Sequence, residues 1–278
     1  MCATCGCSSK RRPRVTDLKS GSVLTVDHDH AHDHEHPHDH DHVHDYDHGE
    51  GHAPHVHADP PTRLVKLEQE VLAKNDLLAQ RNRGWFEGRG ILAVNLMSSP
   101  GSGKTTLLER TIRDLGAELP ISVIEGDQET LFDAERIRAT GCRVVQINTG
   151  SGCHLDAEMM ARGLSTLDPP ADSILMIENV GNLVCPALFD LGERHKVVIM
   201  SITEGEDKPL KYPHMFRAAG LMLLNKIDLE PYLAFDIERC VGYAKQINPD
   251  LEVLRVSATR GDGLDAWYAW LRTQSSAG

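Results

Sequence analysis

Short apolar runs alternate with amphipathic segments along the chain from residue 91 onward. Apolar runs separated by segments with a three- and four-residue apolar repeat are typical of buried parallel strands joined by helices. The predicted strands comprise residues 91–97, 121–125, 143–147, 173–178, 196–201, 220–225 and 252–256. The predicted helices comprise residues 104–115, 131–139, 155–164, 235–246 and 264–271. The pattern therefore predicts an α/β fold with a mostly parallel sheet flanked by helices.

The residues before this domain divide into two parts. Residues 60–83 place apolar side chains among charged ones at a helical spacing, and Pro61 suits a helix start. We expect one amphipathic helix that packs on the following domain or on a partner subunit. Its apolar positions are Leu64, Leu67, Val71, Leu72, Leu77 and Leu78.

The first 60 residues contain few apolar side chains. Such a segment buries too little apolar surface to offset the backbone entropy of folding, so we predict a disordered tail. The predicted organisation is a Cys- and His-rich tail over 1–60, a helix and linker over 61–90, and the α/β domain over 91–278.

Composition changes this picture mainly in the tail. Residues 27–59 hold 13 of the 16 histidines and ten of the 41 acidic residues, but no Lys or Arg. The remaining 31 acidic and 29 basic residues nearly balance, which gives no argument for nucleic-acid binding. No apolar run approaches the roughly 18 residues of a membrane span and no export signal is visible, so we expect a cytoplasmic protein without membrane contact. The seven cysteines are then expected to be free thiols, and the clustered ones are expected to bind metal or do chemistry.

A phosphate-binding sequence runs from Ser98 to Thr105, between the first predicted strand and helix. Gly101 and Gly103 allow backbone N–H groups to face phosphate oxygens, and the following helix adds its positive end. Lys104 can reach the β and γ phosphates, while the Thr105 hydroxyl would hold Mg²⁺. Ser98 stands where the usual pattern has glycine, so the match depends on the remaining positions. The setting predicts a P-loop NTPase whose phosphate-binding residues are Gly101, Ser102, Gly103, Lys104, Thr105 and Thr106.

Recognition of the base is predicted from Asn225, Lys226 and Asp228. In the GTPase superfamily, which this arrangement resembles, the Asp carboxylate accepts hydrogen bonds from guanine N1–H and the exocyclic amine, and Lys packs over the base. Adenine lacks this donor pair and would leave a buried carboxylate unsatisfied. Ser257 and Ala258 resemble the superfamily's further base-contacting loop. The alternative is that these residues form an ordinary surface turn. Because they follow a predicted strand and come after a phosphate loop in the chain, we favour base recognition, with GTP as the ligand.

Two carboxylates follow predicted strands on the nucleotide side. Glu178 ends one strand where a magnesium-binding acid is expected, and Asp127 follows another. With Lys104 they form the predicted catalytic set, and with Thr105 the predicted Mg²⁺ site. The alternatives are a helix cap for Asp127 and a solvated strand end for Glu178. No glutamine stands out as a water-positioning residue, so we expect slow hydrolysis and a role as a switch.

The tail carries two groups of metal-ligating side chains. Cys2, Cys5 and Cys7 place three thiols within six residues, which suits Ni²⁺ in a planar site or Zn²⁺ in a tetrahedral one. A redox pair or an inert tail is the alternative. Neutral imidazoles bind several divalent metals without selectivity, so the histidines at alternate positions predict storage or buffering of such metals, nickel among them. These residues are His28, His30, His32, His34, His36, His38, His40, His42 and His44.

A third metal candidate lies inside the α/β domain. Cys153 and His154 precede a predicted helix, and Cys185 comes seven residues after Glu178. Both loops follow strand ends on the expected ligand side of the sheet. We predict a nickel or zinc site that a second subunit completes, coupled to the nucleotide through residues 178–185. Two other cysteines lie in or beside apolar patterns and are expected to be buried bystanders: Cys142 and Cys240.

These motifs together resemble the HypB family of hydrogenase nickel-incorporation GTPases. The resemblance covers almost the entire chain and includes residues 2–7, the His-rich tract, and residues 98–105, 153–154, 178–186 and 225–228. It implies a GTP hydrolase of the dimerising P-loop class that works with the HypA metallochaperone to insert nickel into the large subunit of nickel-iron hydrogenase. The metal ligands that it implies are Cys153, His154 and Cys185, with high-affinity nickel binding by Cys2, Cys5 and Cys7.

Two other functions fit the same residues. One is a nickel-storage or buffering protein whose GTPase domain is incidental, and the other is a urease-type nickel accessory GTPase. The cysteine motif at the N-terminus favours the hydrogenase as client.

Overall fold

The computed structural model describes residues 13–25, 60–128, 131–150 and 152–276. Its strands are β1 (Arg14–Asp17), β2 (Val23–Thr25), β3 (Leu92–Ser98), β4 (Ile121–Asp127), β5 (Arg143–Asn148), β6 (Ile174–Glu178), β7 (His195–Ser201), β8 (Leu221–Asn225) and β9 (Glu252–Arg255). Its longer helices are α1 (Pro60–Glu87), α2 (Lys104–Leu115), α3 (Phe132–Arg138), α4 (Ala157–Leu167), α8 (Ile237–Ile247) and α9 (Leu264–Ser276). Its short helices are α5 (Cys185–Leu188), α6 (Lys208–Lys211), α7 (Pro213–Ala218) and the 3-10 helix Ile227–Tyr232.

All strands in the described ranges belong to one sheet, in the order β2-β1-β5-β4-β6-β3-β7-β8-β9. Every neighbouring pair from β5 to β9 is parallel, and only β1 and β2 run antiparallel to their neighbours. The predicted strands and helices of the α/β domain all occur in the predicted order. The mostly parallel sheet flanked by helices is therefore confirmed.

The hydrophobic core occupies both faces of the sheet. On β3, Leu92, Val94 and Leu96 pack in one cluster with α2, α3 and α9. Ala93 points to the opposite face, where α1 and α4 pack, and Met97 packs there beside α7 and α8. Parallel strands covered on both faces read as continuous apolar runs, which is why their positions were predictable. Among the helices that the structure describes, none combines the length and the apolar content needed to cross a bilayer.

The predicted disordered tail requires a correction at residues 14–25. Here β1 and β2 form a hairpin, and β1 pairs with the edge strand β5 from Arg14 opposite Asn148 to Asp17 opposite Val145. Val15 is 1% exposed and belongs to the core cluster of Ile147. Burial of Val15 and the hydrogen bonds to β5 hold this hairpin in place. Both depend on a strand that is distant in the sequence, so the low apolar content of the segment does not indicate them. The rest of the predicted tail, residues 1–12 and 26–59, lies outside the described residues.

The predicted helix before the α/β domain is present as α1, but its buried side differs from the apolar pattern. Val71 and Leu77 are 45% and 68% exposed, whereas Asn75 and Asn82 are buried. The Asn75 side chain accepts a hydrogen bond from Ala157 N and donates one to Asp190 O. Buried amides are stable when their hydrogen bonds are made, so α1 packs on the α/β domain through polar as well as apolar contacts.

Candidate functional site

The loop after β3 has the backbone that a phosphate-binding loop requires. Gly101 and Gly103 have φ angles of +76° and +92°, in the left-handed region that favours glycine. A Cβ added at Gly103 would lie 2.6 Å from Asn225 Nδ2, so a side chain would also be excluded by contact. Gly103 directly precedes α2 and provides no side-chain cap, which leaves the helix N-terminus open to an anionic ligand.

Lys104, Thr105 and Glu178 meet beside this loop. The Lys104 ammonium lies 2.7 Å from Glu178 Oε1, and Thr105 Oγ1 donates to the same oxygen over 2.6 Å. The contact follows from the sheet order, since β3 and β6 are neighbouring parallel strands and their carboxyl ends meet at one edge. The Glu178 side chain is 1% exposed, so it is not a solvated strand end.

An open cavity of about 540 Å³ lies at this edge, which we call the strand-edge cavity. Asp127 lines it, and Asp127 Oδ1 accepts a hydrogen bond from Gln128 N over 2.7 Å. Other residues that line it are Ser98, Ser99, Pro100, Gly101, Ser102, Gly103, Lys104, Thr105, Thr106, Glu125, Gly126, Gln128, Asp133, Arg136, Val180, Gly181 and Lys226. The predicted phosphate and magnesium residues are thus brought together around one space.

Three buried oxygens at this cavity have no hydrogen-bond partner among the described residues. Ser102 Oγ and Glu125 Oε2 belong to residues that line the cavity, and Glu178 Oε2 belongs to the carboxylate that contacts the lining residues Lys104 and Thr105. An unsatisfied buried oxygen costs about 1–3 kcal/mol, so these atoms favour a ligand that supplies donors or positive charge. Hydroxyl and carboxylate oxygens are the donors that Mg²⁺ prefers. The residues present therefore fit a magnesium ion held beside phosphate.

Glu125 was not predicted as a site residue. It lies two residues before Asp127 on β4 and opposite Glu178 in the register of β4 and β6, and it lines the cavity together with Asp127. Burial, reinforced by the negative charge of Glu178, raises the pKa of Glu125 to about 9. The alternation of Glu125 with Asp127 along a strand was the sequence feature that could have identified it.

The residues predicted to recognise the base form a second set next to the phosphate loop. Asn225 is buried, donates to Ser102 O over 2.9 Å and accepts from Ala258 N over 3.1 Å. Lys226 Nζ donates to Gly101 O over 2.7 Å. These bonds fix the base-recognition segment against the phosphate loop.

The carboxylate of Asp228 is oriented by the neighbouring loop. Ser257 Oγ donates to Asp228 Oδ1 over 2.6 Å, and Ser257 itself is fully buried. The hydroxyl of Ser257 also accepts from Arg260 N over 3.1 Å, so its position is fixed by the backbone. Asp228 therefore presents a carboxylate of defined orientation, as hydrogen bonding to a planar guanine edge requires.

Cys153, His154 and Cys185 form a cluster whose ligand atoms all lie within 4.8 Å of one another. The two thiols are 3.1 Å apart, and Cys153 Sγ lies 3.7 Å from His154 Nδ1. Both cysteines are buried, and no disulfide joins them. Two thiols and one imidazole suit nickel or zinc, and they leave a four-coordinate site short of one ligand.

The surroundings of the cluster prepare the imidazole for metal binding. Burial lowers the pKa of His154, which keeps the ring neutral and able to donate a lone pair. The ring packs on Phe189 with centroids 3.9 Å apart, a contact that sequence reasoning did not identify. By contrast, burial raises the pKa of the Cys142 and Cys240 thiols to about 12, as expected for bystanders.

Residues 178–185 connect the strand-edge cavity with the metal cluster. Glu178 bonds to Lys104 at one end, and Cys185 contributes its thiol at the other. Between them, a Cβ at Gly181 would lie 3.1 Å from the side chain of Pro100, so this backbone packs directly on the phosphate loop. The tail ligands predicted at Cys2, Cys5, Cys7 and at His28 to His44 lie outside the described residues.

Comparison with known proteins identifies the family to which the chain belongs. Residues 92–255 match the family described as CobW/HypB/UreG, nucleotide-binding domain. The hydrogenase maturation factor HypB of Azotobacter vinelandii is 61% identical over 213 residues, which span 77% of this chain and 70% of that protein.

Two solved structures are also similar. The crystal structure of the hydrogenase maturation factor HypB from Archaeoglobus fulgidus has 42% identity and a TM-score of 0.69, over 73% of this chain and 100% of that one. HypB from Helicobacter pylori, crystallised in complex with nickel, has 34% identity and a TM-score of 0.69, over 73% of this chain and 96% of that one.

Proposed function

Because this chain belongs to the HypB family of hydrogenase maturation factors, with a CobW/HypB/UreG nucleotide-binding domain, we propose that it is a nickel-binding GTP hydrolase. In this proposal, GTP binding and hydrolysis drive insertion of nickel into the large subunit of nickel-iron hydrogenase. The nickel complex of the Helicobacter pylori relative supports nickel rather than zinc as the metal that is carried. A HypA-type metallochaperone and the hydrogenase large subunit are the proposed partners.

One observation carries this proposal: a single chain segment joins the two sites. Glu178 contacts Lys104 and Thr105 in the strand-edge cavity, and seven residues later Cys185 contacts Cys153 in the metal cluster. A γ-phosphate entering the cavity would compete with Glu178 for Lys104, because both are anions. Displacement of Glu178 would then move the segment that carries Cys185.

The residues of the cavity have distinct roles in the proposed hydrolysis. Lys104 and the backbone N–H groups of the loop would neutralise charge on the phosphate oxygens. Thr105, Glu178 and Asp127 would hold a magnesium ion, which would supply further positive charge where negative charge develops. Asp228 would select guanine, with Asn225 holding its segment against the loop.

A dimer linked by GTP and metal would complete the cluster. Three ligands from one chain leave a coordination position for the same surface of a second copy. Val184 and Leu188 flank Cys185 and are 42% and 46% exposed, so apolar surface surrounds the thiol. Burial of these side chains in a symmetric interface would exclude water from the metal.

The proposal is tested by nickel affinity and oligomeric state in two nucleotide states. The protein used has Ser in place of Cys2, Cys5 and Cys7 and Asn in place of all thirteen histidines of residues 28–57, which removes the tail ligands but retains β1. We call it the tail-substituted protein. With a non-hydrolysable GTP analogue we expect a dimer whose nickel affinity differs from that of the GDP form by about 5- to 150-fold.

The control is Cys185→Ser in the tail-substituted protein. It removes a ligand from the cluster, and we expect nickel affinity to fall by about 100-fold with either nucleotide. Equal nickel affinity and a monomer with both nucleotides in the tail-substituted protein would contradict the proposed switch.

Nickel storage by the tail is a separate prediction. Neutral imidazoles bind nickel, so the unsubstituted chain is expected to take up several nickel ions and the tail-substituted protein about one per chain. Nickel bound after equilibrium dialysis measures the difference. Substitution is preferable to deletion of residues 2–59, because deletion would remove β1 and its buried Val15.

The same pair of proteins separates storage from the switch. We expect cells with ample nickel to mature hydrogenase equally well with either protein, because stored nickel is then not limiting. Failure of the tail-substituted protein under ample nickel would instead support storage as the main function.

A further inference from the structure

Three side-chain amides hold the loop that carries two of the metal ligands. We call them the amide trio: Gln128, Asn179 and Asn182. They contact three backbone groups within residues 152–155, here called the metal loop. The hydrogen bonds are Gln128 Nε2 to Gly152 O at 3.3 Å, Asn182 Nδ2 to Cys153 O at 3.3 Å, and Leu155 N to Asn179 Oδ1 at 3.2 Å. The trio therefore brackets the ligands Cys153 and His154 on both sides along the chain.

Each member of the trio also adjoins the strand-edge cavity. Gln128 lines the cavity and follows Asp127, while Asn179 follows Glu178. Asn182 follows Gly181, which lines the cavity and packs on Pro100. The three amides come from the two segments whose carboxylates face the proposed nucleotide, and all three end on the metal loop.

Asn179 is the most constrained member. Its side chain is fully buried, and it also accepts from Val180 N over 3.0 Å and donates to Asn95 Oδ1 over 3.2 Å. A buried amide with these bonds cannot turn to a new rotamer without leaving buried donors and acceptors unsatisfied. Displacement of Glu178 would therefore be passed to Leu155 N rather than absorbed by a mobile side chain.

We propose that the amide trio consists of positioning residues that transmit the nucleotide state to the metal loop, with Asn179 as the main connection. The inference rests on the proposed function, because it requires nucleotide and nickel to be coupled. The trio supplies no metal ligand and is assigned no contact with the phosphates. Asn179 and Asn182 do not line the strand-edge cavity, so their loss should leave both sites able to bind and weaken only the dependence of one on the other.

Asn75 provides a matched control from outside the two segments. Its amide accepts a hydrogen bond from Ala157 N, two residues after Leu155, and it donates to Asp190 O. Asn75 belongs to α1, which does not line the strand-edge cavity. Asn75→Ala removes a buried amide near the metal loop without breaking a connection to the cavity.

The experiment measures the coupling ratio, defined as nickel affinity with a non-hydrolysable GTP analogue relative to nickel affinity with GDP. It compares the full-length tail-substituted protein with its Asn179→Ala, Gln128→Ala, Asn182→Ala and Asn75→Ala variants. In the tail-substituted protein we expect a coupling ratio that differs from one by about 5- to 150-fold. Asn179→Ala is expected to bring this ratio close to one. Gln128→Ala and Asn182→Ala are expected to move it part of the way.

Asn75→Ala is expected to lower nickel affinity equally in both nucleotide states and leave the ratio unchanged. If Asn179→Ala does not fold, Asn182→Ala decides the question, since Asn182 is only half-buried and does not line the strand-edge cavity.

The outcomes separate the inference from the proposed function. A coupling ratio of one in the tail-substituted protein would overturn both. A ratio far from one that persists in the folded trio variants, or that falls as much in Asn75→Ala, would overturn the inference alone and leave the proposed switch supported.

Discussion

Replacing Lys104 with alanine is expected to lower GTP turnover by about 10²- to 10³-fold or more, because a preorganised charge beside the phosphates is lost. The Lys104 side chain is 12% exposed and its ammonium pairs with Glu178 over 2.7 Å, so it is held in place before any ligand binds. Phosphate release from saturating GTP measures the effect. Nickel binding by the tail should be unchanged, since it uses residues of another segment.

Stability has to be separated from catalysis in this variant. Lys104→Ala leaves the buried Glu178 carboxylate without its cation, which costs about 3–5 kcal/mol for a broken buried pair. The Lys104→Ala/Glu178→Gln double variant removes the uncompensated charge and is expected to recover stability but not turnover. Lys211→Ala, at an exposed lysine paired with Asp207, is the matched control and should keep full turnover. Turnover near the starting level in Lys104→Ala would contradict the assigned role of the loop.

Replacing Asp228 with asparagine is expected to weaken GTP binding by about 10²- to 10⁴-fold, because two hydrogen bonds from guanine to a charged acceptor are each worth about 1.5–3 kcal/mol. The asparagine amide can instead donate to a carbonyl oxygen at the corresponding position of xanthine. Affinity for XTP should therefore rise while affinity for GTP falls. Competition between the two nucleotides against a fluorescent GDP measures this change.

Two variants define what is specific to Asp228. Asp262→Asn removes an exposed carboxylate in the neighbouring loop and should leave nucleotide preference unchanged. Ser257→Ala removes the hydroxyl that orients Asp228, and it should weaken GTP binding by about tenfold without a gain for XTP. If Asp228→Asn binds GTP and XTP with the same affinities as the unsubstituted protein, guanine is recognised by other residues.

The arrangement of strands and helices from residue 91 onward was predictable because its physical causes are local. The residues of β3, β6 and β8 are all buried and mostly apolar; the polar ones are Asn95 within β3 and the last residue of each strand. The phosphate loop was equally visible, since its φ angles at Gly101 and Gly103 require glycine whatever packs around them.

Residues that depend on strand register were harder to predict. Glu125 becomes part of the cavity because it lies opposite Glu178 on a neighbouring strand. Asn75 and Asn82 break the apolar pattern of α1, yet they are buried because backbone groups of Ala157, Asp190 and Leu191 satisfy them. The hairpin of residues 14–25 likewise depends on β5, more than 100 residues away in the chain.

The sequence by itself determined which chemical groups this protein has: a phosphate loop, a carboxylate suited to guanine, and thiols and imidazoles suited to nickel. These follow from the identity and local spacing of residues. Only the tertiary structure decided that the groups lie within reach of one another, because β3, β4 and β6 end at the same edge of one sheet. Distance between remote residues is set by strand order and register, which is why the connection from Lys104 through Glu178 and Asn179 to the metal loop emerged only from the fold.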